Sequence, residues 1–73
     1  MTMVDEDYDA EDNQYVVSVP YEKCSLKPKT ILNLGIECCC VAYKQQKKQM
    51  KVYFEDIDNA EAFTSFINNH PKV

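Results

Sequence analysis

Three consecutive cysteines, Cys38, Cys39 and Cys40, with Cys24 and a single histidine, His70, are the residues of this 73-residue chain whose types first suggest chemistry. A zinc site needs about four ligands converging on one point. A strand sends neighbouring side chains to opposite faces, so Cys39 would point away from Cys38 and Cys40, and no C-x-x-C chelate loop exists. Consecutive cysteines fit no ordinary disulfide framework either. The four read as free thiols in a reducing compartment, mostly buried small hydrophobes, with Cys39 the candidate for exposure. No metal and no cofactor is expected.

Catalytic constellations are equally sparse. His70 stands beside Pro71 at the end of a helical stretch, where it suits the helix dipole better than general-base work. Gly35 is the one glycine, which leaves no phosphate-cradling loop. The pair Glu55 and Asp56 reads as solvated residues before a helix. The expectation is a binding protein rather than an enzyme.

Charge is more informative, because it is segregated along the chain. Residues 1–22 carry seven acids and no lysine, residues 23–54 carry seven lysines against Glu37 alone, and residues 55–73 carry four acids against Lys72. The blocks amount to −7, +6 and −3, which give the net −4. Every base is lysine and asparagine is frequent, a usage that fits an AT-rich coding sequence such as those of many phages and viruses.

Two surfaces follow from that division. Asp5, Glu6, Asp7, Asp9, Glu11 and Asp12, with Tyr8 among them, form an acidic run, and Glu55, Asp56, Asp58 and Glu61 form a second acidic group. Such surfaces occupy basic, nucleic-acid-binding proteins. Against them, Tyr43, Lys44, Lys47, Lys48, Lys51 and Tyr53 gather on one hairpin, with lysines to track phosphates and aromatics to stack on bases. The absence of arginine removes the bidentate fork that base and phosphate recognition favours.

The elements that must position these residues can be read in turn. Residues 1–12 are too acidic to join a core and are expected to be a disordered tail, leaving residues 13–73 as one small domain. Gln14–Val19 is β-branched and aromatic and is closed by Pro20, which makes it a strand. Pro28 opens a short helix through Leu34, with Gly35 as a left-handed cap and Ile36 as its apolar contact; the competing reading of residues 28–35 is an extended strand kinked at Gly35. Ile36–Tyr43 is nearly continuous in apolar residues and reads as a central strand covered on both faces.

Met50, Val52 and Phe54 alternate with Lys51, Tyr53 and Glu55, so the former set faces inward. The connection Lys44–Gln49 has no Asn-Gly or Gly-X pair, which argues for a longer loop and leaves the register open. The favoured register puts Cys38 and Cys40 inward, so that Glu37, Cys39, Val41 and Tyr43 face out; a shift of one residue exchanges the two sets. Asp58 is expected to cap a final helix with Glu61 in reciprocal position, and Ala60, Phe63, Phe66 and Ile67 share its apolar stripe.

The fold class expected is α+β: a small three-stranded antiparallel-type sheet, helical cover on one face, in the order strand, short helix, strand, strand, helix. The function expected is a small non-catalytic regulator or inhibitor that engages a basic or nucleic-acid-binding protein through its acidic surfaces. A nucleic-acid-binding module using the lysine hairpin is the second expectation, and a homodimerising structural protein the third. No stretch is long enough to span a membrane and acids stand where a secretory signal would be basic, so a cytoplasmic setting, that of the host for a viral protein, is expected.

Overall fold

Alternating burial defines the sheet. The computed structural model describes residues 4–71, and in it β2 (Gln14–Pro20) and β4 (Gln49–Phe54) lie side by side, antiparallel, with Val17 opposite Val52 and Val19 opposite Met50. Val17, Val19, Met50, Val52 and Phe54 are all fully buried, whereas their neighbours Val16, Ser18, Lys51 and Tyr53 are half-buried on the other face. The period of two in the sequence is thus the period of the pleat.

Two helices cover the buried face. α1 (Pro28–Glu37) and α2 (Ile57–Asn68) contribute Ile31, Ala60, Phe63 and Ile67 to the same core, and Phe63 stacks on Phe54 with ring centroids 5.3 Å apart. Among the described residues no helix lies on the opposite face of the sheet. The chain is therefore a two-layer α+β fold, as its sequence leads one to expect, and with β1 (Glu6–Asp9) and β3 (Ala42–Gln45) at the edges it is a helix-covered four-stranded sheet in the order β1-β2-β4-β3 rather than a three-stranded one.

The additional strand is β1 (Glu6–Asp9), in the stretch expected to be a disordered tail. It pairs antiparallel with β2, Glu6 opposite Val17 and Asp9 opposite Gln14, through a turn at residues 10–13. Asn13 supplies the left-handed conformation of that turn (φ 53°), and the Asp9 carboxylate accepts the Glu11 backbone N–H at 3.1 Å, an Asx-type turn. Ahead of β1, Val4 is buried. Its backbone is held on both sides by the Asn68 amide, which accepts from Val4 N at 2.8 Å and donates to Val4 O at 3.0 Å. Acid-rich composition argued against order, but backbone pairing and this side-chain clamp provide it. Residues 1–3 of the expected tail lie outside the described residues.

The apolar run Ile36–Tyr43 is not a central strand. Ile36 and Glu37 complete α1, and the chain then turns to β3 (Ala42–Gln45), the sheet edge beside β4, where all four residues are exposed. Gly35 sits inside the helix with ordinary φ, and a Cβ there would meet Val52 Cγ1 at 3.0 Å, so the helix crosses close over the sheet and a side chain at this position would have to displace Val52 slightly. The left-handed residue is Cys39 (φ 64°). Cys39 N donates to Ile36 O and Cys40 N to Gly35 O, each at 3.0 Å, the two bonds of a Schellman cap.

A non-glycine residue in that conformation carries a steric penalty of about 1–2 kcal/mol. Cys39→Gly is accordingly expected to stabilise the fold by about 1 kcal/mol, less the extra entropy glycine brings to the unfolded chain. Urea unfolding checks it: a midpoint that falls would show that the thiol contributes more than its backbone costs.

At the other end of the molecule α2 starts two residues earlier than its sequence suggests. Asp56, not Asp58, is the N-cap, its carboxylate accepting from Asp58 N at 2.9 Å. Phe66 is likewise not in the stripe: it is 47% exposed, and Thr64 takes the buried place beside Phe63 and Ile67.

Candidate functional site

Hydrogen-bond phase along the sheet determines which groups its edges present. Tyr21 N donates to Lys48 O at 3.0 Å and Gln46 N to Gln49 O at 2.9 Å. With the registers of the three strand pairs, alternation then directs the backbone groups of Asp7 and Asp9 to β2 and those of Ala42 and Lys44 to β4. Glu6 and Tyr8 on one edge, and Tyr43 and Gln45 on the other, turn theirs outward. The β3–β4 connection is tight as a result. Lys47 and Lys48 alone stand at its tip, where a longer loop was expected.

The two edges have opposite charge. β1 is flanked by Asp5 and followed by Glu11 and Asp12, all exposed, and it lies beside α2. Glu6 faces that helix. Its own backbone hydrogen bond lowers its carboxyl pKa, but partial burial, the hydrogen bond with Asp5 and the negative charges of Asp5 and Glu61 outweigh it and raise the carboxyl above its ordinary value. Asp5 and Glu6 of the acidic run and Glu61 of α2, remote in sequence, are therefore brought into one electrostatic neighbourhood. Asp58 and Glu61 are exposed on α2, and Glu55 and Asp56 are exposed at the corner leading into it. Asp7 and Asp9 point to the open face instead, so the acidic surface wraps around the edge. Tyr8, 55% exposed, stands at its centre, packed on Tyr15 with ring centroids 5.2 Å apart and donating its hydroxyl to the Asn13 side chain.

On the opposite edge the lysine hairpin is divided by the pleat. Lys44, Lys51 and Tyr53 share the open face, Tyr43 lies on the helix side, and Lys47 and Lys48 cap the end. Lys47, Lys48, Tyr21 and Glu22 line a cleft of about 220 Å³. The Tyr21 hydroxyl is buried there with no hydrogen-bond partner among the described residues, and burial pushes its pKa up.

The cysteines occupy the cap of α1 and not a strand. Cys38 is buried, Cys40 is half-buried against the core and Cys39 is exposed, the inward and outward assignment expected of them but produced by a helix cap. Burial is the main cause that pushes the Cys38 and Cys40 thiols up, with Glu37 adding to it at Cys38 and the neighbouring Cys39 adding to it at both. That disfavours the thiolate a nucleophile needs. Cys24 is buried elsewhere, at the bridge to Pro71, where Ser25 N donates to His70 O at 2.9 Å. Among the described residues no three His, Cys, Asp or Glu side chains are grouped to hold a metal ion, and no helix is long and apolar enough to cross a membrane.

Sequence reasoning missed the exposure of Ile36, which is 59% exposed beside β3, whereas Val41 and Tyr43, read as outward-facing, are 46% and 52% exposed. The apolar character of Ile36 suggested burial, and no residue-level signal marked the edge beside it. Comparison with protein-family models, with curated proteins and with solved structures finds no match to this chain.

Proposed function

We propose that the chain is a small non-catalytic binding protein, a regulator or inhibitor, that engages a basic partner protein through the acidic surface formed by β1 and α2. The observation that carries this reading is the convergence of Glu61 with Asp5 and Glu6, more than fifty positions away in sequence, on one surface where their charges oppose one another. Like charges held together by a fold cost stability, and a cationic partner relieves that cost. The edge strand adds backbone groups to which an extended segment of the partner can pair. A nucleic-acid-binding role remains the second reading, favoured by the sharing of one face by Lys44, Lys51 and Tyr53.

The two readings respond oppositely to charge. With a lysine-rich peptide as probe, Asp5→Asn, Glu6→Gln and Glu61→Gln together are expected to weaken binding about tenfold, at a few tenths to 1 kcal/mol for each exposed pair. Lys47→Glu with Lys48→Glu should spare or strengthen it. A single-stranded oligonucleotide should bind neither protein measurably at about 0.15 M salt. Oligonucleotide binding that survives that salt and is abolished by the hairpin reversal would replace this reading with the second.

A further inference from the structure

We infer that the acidic edge and the basic edge of this protein are complementary to each other, and that copies of the chain associate head to tail by pairing β1 of one with β3 of the next. The inference rests on the reading of β1 as a docking strand and names its partner as a second copy.

Topology makes the joint possible without rearrangement. The sheet order is β1-β2-β4-β3 with every neighbouring pair antiparallel, so β1 and β3 run in opposite directions at opposite edges. A second copy translated across the strands therefore brings its β1 antiparallel to β3 of the first, with the helices of both on the same side. Each edge has four residues, and each turns two of them outward: Glu6 and Tyr8, and Tyr43 and Gln45.

Pairing Tyr8 with Tyr43 and Glu6 with Gln45 places side chains in matching environments. On the helix side the two exposed tyrosines meet as a cross-strand aromatic pair, flanked by exposed Val41. On the open face Asp7 falls opposite Lys44. Sliding the joint by two residues in either direction brings Asp5 or Asp9 there instead, so every register of this phase sets an acid against Lys44. Within its own chain Lys44 stands directly opposite Lys51, a like-charge pair that an incoming carboxylate would relieve.

The symmetric alternatives are disfavoured by the same charges. Two β1 edges would set acids against acids, and two β3 edges would set lysine against lysine. A heterologous joint of this kind does not close on itself in a dimer. It propagates, with a rise of about 19 Å per four-stranded copy at the usual strand spacing. The joint is small, and association in the range of roughly 10⁻⁴ M is expected of it. One outward amide is already engaged: Glu6 N donates to the Asp5 carboxylate at 2.9 Å, a bond that pairing would exchange.

Edge-blocking variants test this directly. Tyr8→Pro and Tyr43→Pro each remove an outward N–H that the chain's own sheet does not use, and circular dichroism verifies that both still fold. In sedimentation equilibrium the wild type should grow in mass with concentration up to about 1 mM, each variant alone should stay monomeric, and an equimolar mixture should form a 1:1 dimer and nothing larger. Lys44→Asp should weaken assembly, and Asp7→Lys in the same chain should restore it. A wild type that is monomeric throughout, or a mixture that does not pair, overturns the inference. If that wild type still binds the lysine-rich peptide, the acidic surface stands and its partner is not a second copy; if it binds neither, both readings fail.

Discussion

Replacing Phe63 by alanine is expected to cost about 3–5 kcal/mol, while the same change at Phe66, three residues on, should cost within about 0.5 kcal/mol. Both are phenylalanines on α2, and helical spacing makes them equivalent in sequence. The structure separates them. Phe63 is fully buried against Phe54, beneath Gly35, whereas Phe66 faces solvent. A chain of this length has roughly 4–11 kcal/mol of stability in all, so Phe63→Ala removes a large part of it and leaves a substantial unfolded population. Urea midpoints of the two variants make the comparison. Equal losses would mean that α2 is rotated about its axis relative to the packing described.

Deleting residues 1–12 should lower stability by about 2–4 kcal/mol, which for a domain of this size corresponds to roughly 10–25 °C in melting temperature. The sequence alone suggests the reverse, since a disordered acidic tail would be dispensable. What the deletion removes is the buried Val4 side chain, the β1 pairing that covers the edge of β2, and the backbone groups held by Asn68. It also leaves an edge that includes Val16 open to unwanted pairing. A melting temperature unchanged by the deletion would return this segment to the status of a tail.

The elements that could be read in the sequence are those whose side-chain pattern and burial agree. β2 and β4 have β-branched or alternating residues that lie in the middle of the sheet, and α2 has its apolar spacing and an acid at its start. The misreadings share one physical origin, which is that tertiary context outweighs local composition. Ile36–Tyr43 looks like one apolar strand yet divides among a helix end, a Schellman cap and an exposed edge, because a helix crossing close over Val52 extends past Gly35. β1 has almost no β-propensity of its own, and its pairing partner is needed to see it. The acidic residues of the candidate site were legible by type and spacing. Their junction across β1 and α2 was not, since it depends on the Val4–Asn68 clamp between residues 64 apart.

If the acids of β1 are held in a formed, outward-facing edge rather than in a mobile tail, residue-resolved amide hydrogen exchange on the intact protein will show it. The phase of the sheet predicts an alternation: Asp7 and Asp9, whose amides point to β2, should be protected, and Glu6 and Tyr8, whose amides point away, should exchange rapidly. Uniformly rapid exchange at all four, at the rate of an unstructured chain, would mean that β1 is not paired and would remove the docking surface built upon that edge.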